Sequence, residues 1–388
     1  MKGGYIRSLD GLRAVAILLV MAYHFDLNNF GWMGVQLFFV LSGFLITGIL
    51  WKEKFRPAPL GSRFKKFWTR RALRIFPLYY GYLFVLGLTF ITIHFPNYYL
   101  TYIPYLATYT TNFGRLLPNW HVTALFTHLW SLSVEEQFYL LFPLFIFLSP
   151  PKLVRAILCL IICLGPLIRL GLGIYYRARV QSDIVAGDAL YWNTLSQLDA
   201  FCIGGLIPVF SLDKKLTRPS AWMLFFFSVA FIAGVLNALS TGGGHFLHNY
   251  ANTLGYGQAE MQHDQHIWSY TLLNFFFASF ILVLVSDHGR NYFRWMRGLL
   301  EKEWMVKIGK VSYGMYIYHF SVLVYLFDKY LPRHGAVTKT VYFIAYVVIV
   351  FVISQISFRF YESWFLRWKD RLYAPRKGDL HEPVGAEA

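Results

Sequence analysis

The feature that most constrains this chain is the recurrence of apolar runs about 20 residues long, the length a helix needs to cross the hydrocarbon core of a bilayer. Ten such windows occur, at 10–28, 33–51, 75–94, 128–149, 155–175, 192–210, 220–239, 267–286, 309–327 and 340–359. Composition agrees with a membrane solvent. The 388 residues are 56% hydrophobic and 14% charged, with a mean hydropathy of +0.44, whereas an average soluble domain is roughly 25% charged. The expected fold is all-α: a polytopic integral membrane protein of about ten transmembrane helices. A soluble enzyme, a disulfide scaffold and a disordered chain are excluded together.

The formal charge of +16 does not point to nucleic acid, because the basic residues stand in short blocks between apolar runs, as topology signals do. With the amino terminus inside, 29 of the 36 Lys and Arg fall on inside segments, nine of them in 51–74. The expectation is a multi-pass protein of the cytoplasmic (inner) cell membrane with both termini cytoplasmic. No cleavable signal is expected, since no small-residue cleavage site follows the first run. Cys159, Cys163 and Cys202 all lie in apolar runs and read as small hydrophobes. The stretch 240–266 carries His245, His248, His263 and His266; a polar extracytoplasmic loop is expected there rather than a metal site.

Ionisable groups inside apolar runs are costly and are functional candidates by default. Arg13 and His24 share the first run. Eleven residues turn through roughly 1100°, so the two share a helix face about 16 Å apart along the axis. His24 is either a hydrogen-bonded core imidazole or a general base suited to neutral pH. Arg71 and Arg74 close the basic block before the third run and lie on one helix side at i and i+3. They read as a topology anchor with anionic-lipid contacts, or as a clamp of two guanidinium forks for a polyanionic ligand. Glu135 and Glu136, in the fourth run, must pair, line a cavity or be protonated; Arg13 and Arg169 are the available structural partners. Asp199 and His319 are similar cases for which an internal hydrogen bond suffices. Ser42 and Gly43 permit close helix approach, and Ser42, with no base near it in sequence, reads as structural.

Several of these residues stand in blocks that resemble the acyltransferase-3 family of integral membrane acyltransferases. The blocks are Leu9-Asp-Gly-Leu-Arg-Ala-Val-Ala-Ile followed by His24, Gly34-Val-Gln-Leu-Phe-Phe-Val-Leu-Ser-Gly-Phe-Leu-Ile, and Arg70-Arg-Ala-Leu-Arg-Ile-Phe-Pro. Three more follow in order: Leu129-Trp-Ser-Leu-Ser-Val-Glu-Glu-Gln-Phe-Tyr-Leu, Leu198-Asp-Ala-Phe, and Ser312-Tyr-Gly-Met-Tyr-Ile-Tyr-His. Together they span residues 5 to about 365.

The resemblance implies transfer of an acyl group, commonly acetyl, from cytoplasmic acyl-CoA to a hydroxyl of a carbohydrate or glycolipid at the other face. Acyl-CoA would be a donor substrate, with no permanently bound cofactor, no metal and no nucleic-acid partner; membrane lipids are the remaining partner. By residue, His24 and Glu135 fit the catalytic positions, with Glu135 orienting the imidazole, while Arg13, Arg71 and Arg74 fit the cofactor-binding ones. Gln36 departs from the pattern, which often has an acid there. A domain at 1–365 followed by a short tail at 366–388 is expected, working without a fused hydrolase-like domain. The alternative reading is a lipid or glycan transporter or flippase, which predicts inverted halves and interrupted helices; neither is evident in the sequence.

Overall fold

The computed structural model describes residues 5–93, 96–116, 120, 124–180, 182–242, 246–258, 261, 264–286, 293–328 and 336–372. Each apolar window contains a helix. These are α1 (Arg7–His24), α2 (Met33–Lys54), α3 (Leu60–Thr92), α4 (Trp130–Leu148) and α5 (Pro151–Arg177), then α6 (Thr194–Phe210), α7 (Pro219–Gly242), α8 (Gln265–Val285), α9 (Ser312–Val322) and α10 (Ala336–Ser357). No strand occurs among the described residues. Among the described residues seven helices are long and apolar enough to cross a membrane: α2, α3, α4, α5, α7, α8 and α10. The other three fall short for identifiable reasons. The 18 residues of α1 include Arg7, Asp10 and Arg13, α6 has 17 residues, and α9 has 11 before passing into a π-helical turn, Leu323–Asp328. The molecule is an all-α, multi-pass membrane protein.

The centre of the bundle is α2, which packs most extensively on α6 and also meets α1, α4 and α8. Glycines set that contact. A Cβ on Gly43 would collide with the Phe201 carbonyl, and one on Gly204 with the Val40 carbonyl. Without a hydrophobic drive between helices in lipid, such backbone approach is how they associate. The close approach expected at 42–43 is thus carried by Gly43. The amino-terminal half of α1 rests on the short helix Glu303–Lys310, where Gly309 lies against the Asp10 carbonyl. This contact carries Lys310 to the Arg13 end of α1.

α3 begins at Leu60, far ahead of its apolar window, so the basic block is helical and continuous with the span. Arg71 and Arg74 therefore ride on a rigid element rather than a loop. The outer faces of α5, α7 and α10 expose Leu167, Ile174, Phe231, Leu236, Ile344 and Val348, apolar surface that suits a lipid surround. Helical structure runs on through Phe358–Glu362 and Ser363–Leu372, which packs on α3; residues 373–388 of the expected tail lie outside the described residues. Of the four loop histidines, His245 and His263 also lie outside them, while His248 is exposed and His266 is buried against Gly173. Among the described residues no cluster of His, Cys, Asp and Glu is arranged to hold a metal.

Candidate active site

Between α1, α2, α3, α4 and the start of α9 lies a cavity of about 260 Å³ into which four cations, Arg13, Arg71, Arg74 and Lys310, and two carboxylates, Glu135 and Glu136, all face. Arg71 and Arg74 reach it from one side of α3, as their spacing requires. The Arg71 guanidinium sits 5.5 Å from the Tyr139 ring centroid and 5.9 Å from that of Phe67, a cation–π arrangement that steadies it without neutralising it. Arg13 donates to Asp10 at 2.5 Å, one turn back on its own helix. Two grooves adjoin the cavity. One shares Ile49 and Arg71 with it and is lined by Lys52, Arg56, Arg63, Lys66 and Arg70 around Glu53; the other shares Arg13, Leu45 and Ile49. A basic path thus leads out of the cavity at the Arg13 end of α1.

On the cavity wall Tyr139 donates to Ser42 Oγ at 3.1 Å, and Ser42 donates to Glu135 Oε1 at 2.6 Å. The carboxylate that the linear sequence could not place beside Ser42 comes from α4, 93 residues away.

A second cavity, of about 250 Å³, lies at the other end of α1 and contains His24. Asp188, Gln258, Tyr23 and His128 bring polar groups to it, and Trp32, Trp130, Tyr191 and Trp192 supply aromatic wall. Tyr23 hydrogen-bonds Gln258. The His24 ring lies 4.3 Å from Phe320 and 5.3 Å from His319, centroid to centroid. Behind it, His319 is fully buried and its Nδ1 meets the Tyr316 carbonyl at 2.6 Å. A carbonyl only accepts, so Nδ1 carries the proton and Nε2 presents a bare lone pair, one with no hydrogen-bond partner. The two cavities share two lining residues, Val35 and Tyr316.

The structure brings Arg13, Arg71, Arg74 and Glu135 together and places His24 apart from them. The expected pairing of Glu135 with the imidazole is corrected: Glu135 lines the cationic cavity and is bonded to Ser42, whereas His24 lines the other cavity beside His319 and Phe320. The physical reason is position along the bundle: Glu135, beside Ser42, lies about one and a half turns past Trp130 of the histidine cavity's wall, and Ser42 about two turns along α2 from Val35. Nor does Glu135 pair with Arg13, which is held by Asp10, or with Arg169. Arg169 instead bonds Asp199 Oδ2 at 3.0 Å, the Ser196 carbonyl at 2.9 Å and the Ile267 carbonyl at 3.1 Å. Asp199 thus has the internal partner expected of it. Gln36, fully buried, donates to Gln197 of α6 at 2.8 Å. Sequence reasoning missed Lys310, Tyr139 and Tyr316, and it missed Asp188, Gln258 and His128 of the second cavity. Only Tyr139 and Tyr316 stood inside blocks already singled out.

The chain is thus a multi-pass helical bundle holding a cationic cavity beside one lined by a histidine. Residues 6–359 match the family model of the acyltransferase domain, Acyl_transf_3, and the chain belongs to that family. Similar proteins include O-acetyltransferase OatA of Staphylococcus aureus strain NCTC 8325 / PS 47 and its counterparts in strains COL and MRSA252. Each is 27% identical over 380 residues, covering 92% of this chain. The chain spans 57% of the length of those relatives. No solved structure matches it.

Proposed function

We propose that this protein is a membrane O-acyltransferase that moves an acyl group, acetyl in the simplest case, from acyl-CoA to a hydroxyl of a carbohydrate or glycolipid. The observation that carries this reading is the pair of adjoining cavities, one cationic and one built around His24. CoA bears three phosphates, and the cations of the first cavity and of its basic approach suit them. The pantetheine arm would extend past Ser42 and Glu135 towards Val35 and Tyr316. In the second cavity Trp and Tyr faces with Asp188 and Gln258 suit a sugar, whose ring has apolar faces and a hydroxyl rim. In this reading His24 takes the hydroxyl's proton.

In this reading both termini, the 51–74 segment and the cationic cavity face the cytoplasm of a cell whose inner membrane holds the protein, and the His24 end faces outward. The split of basic residues supports that orientation. The test is to supply radiolabelled acetyl-CoA to purified protein in detergent, with envelope glycan from cells lacking it. Acceptor-dependent transfer of label is expected. Binding of the glycan without any consumption of acetyl-CoA would favour transport over catalysis.

A further inference from the structure

We propose that Val35 and Tyr316 set the size of the acyl group this protein transfers, an inference that rests on the acyl-CoA-dependent transfer proposed above. These two residues line both cavities. A bond between a group held in one cavity and a group held in the other therefore forms at the partition they make. In that step the acceptor oxygen bonds to the thioester carbonyl carbon and the carbon–sulfur bond breaks. The acceptor's proton passes to His24, and the departing CoA sulfur takes that proton back and leaves as the thiol, which restores the neutral imidazole. The acyl chain attached to the reacting carbon must meanwhile lie between an isopropyl group and a phenol ring.

The partition is rigid on both sides. The Tyr316 hydroxyl lies 2.5 Å from Ser131 Oγ and donates to the His128 carbonyl at 3.0 Å. Its own carbonyl accepts from His319 at 2.6 Å. The ring is thus held at its hydroxyl end, and it cannot swing aside without breaking the bonds to Ser131 and the His128 carbonyl. Val35 is buried, and its neighbour Gly34 lies so close to the Ala16 carbonyl of α1 that no Cβ would fit. The backbone at 35 has no room to retreat from a larger substituent. Close-packed walls respond to single methylene groups, and an apolar pocket discriminates one methylene by about 10- to 200-fold.

The experiment measures kcat/KM for release of CoA thiol from acetyl-, propionyl- and butyryl-CoA by the full chain in detergent, with envelope glycan from cells lacking the protein as acceptor. Val35→Ala should raise the butyryl-to-acetyl ratio by about 10-fold or more, and Val35→Ile should lower the propionyl-to-acetyl ratio by about 10-fold. Where Val35→Ala does not fold, the propionyl-to-acetyl ratio of Val35→Ile decides alone. Tyr316→Phe, which keeps the ring but frees it from Ser131 and the His128 carbonyl, should broaden the chain-length profile. Ratios that stay within about twofold across Val35→Ala and Val35→Ile, in protein that transfers acetyl normally, overturn the proposal while leaving the transfer reading intact. Absence of acceptor-dependent thiol release from the wild-type protein overturns both.

Discussion

Two regions of this bundle house guanidinium groups among apolar helices, and they treat them differently. Between α5, α6 and α8, Arg169 is fully buried and spends its donors on Asp199, two backbone carbonyls and Thr271. Between α1, α3 and α4, Arg71 and Arg74 line a cavity and form no ion pair among the described residues. A buried charge satisfied by the protein is a structural element, and removing its partner is costly. A charge left facing an open space keeps its donors available to a ligand. The comparison teaches that burial alone does not mark a functional charge in a membrane protein; the state of its hydrogen-bonding capacity does.

The largest expected effect tests the satisfied region. Arg169→Ala should destabilise the fold by about 3–5 kcal/mol, because it strands the Asp199 carboxylate in a dry interior. Thermal unfolding of detergent-purified protein, followed by tryptophan fluorescence, measures it. The double replacement Arg169→Met with Asp199→Leu should recover much of the loss, since it removes both charges. Arg74→Ala, by contrast, should leave the unfolding midpoint almost unchanged. Equal destabilisation by Arg74→Ala and Arg169→Ala would erase the distinction between the two regions.

His24→Ala comes next. Loss of a general base costs about 10²- to 10⁴-fold in rate, and it should appear in kcat with acyl-CoA binding retained. The base must be neutral to accept a proton, so wild-type activity should fall as pH is lowered through the imidazole's titration. Wild-type turnover by a folded His24→Ala protein would move the chemistry elsewhere, and His319, with its bare Nε2 nearby, would be tested next. Smaller effects are expected in the cationic cavity. Arg71→Ala or Arg74→Ala should weaken acyl-CoA binding about 10- to 100-fold, the range for a hydrogen bond to a charged group, as read by calorimetry. Lys at either position should restore part of it, since an ammonium cannot reproduce a bidentate fork. Unchanged affinity in both variants would reduce the block to a topology anchor.

How far the sequence revealed these regions follows from the distances over which each is assembled. The helices were legible because a bilayer imposes a length on every span, and that constraint acts within one segment. Arg71 and Arg74 were legible as a pair because i and i+3 is a local relation on one helix. What remained hidden was every relation between segments. The linear sequence contains Glu135 and His24 but not the fact that α4 delivers the first to Ser42 instead of to the imidazole. Likewise Lys310 enters the cavity only because Gly309 lets a short helix dock on α1. The second cavity draws Asp188 and Gln258 from separate loops and helices, residues that carry no periodic signature and match no block singled out in the sequence.

Glu135 is the intermediate case between the two regions, and it carries the smallest predicted effect. Its carboxylate is neither saturated like the Asp199–Arg169 pair nor left entirely to the cavity: one oxygen accepts from Ser42, which in turn accepts from Tyr139. Glu135→Gln keeps a carbonyl able to accept that bond and removes only the charge, so the fold should persist. If glutamate and serine act as one unit on the bound thioester, Ser42→Ala and Glu135→Gln should each lower kcat by a similar factor, of the order of 10-fold. The double variant should then be little worse than either, because members of one network are not additive. A rate lost in Glu135→Gln but intact in Ser42→Ala would assign the carboxylate's effect to its charge beside Arg71, placing Glu135 with the unsatisfied groups of the cavity instead of between the two regions.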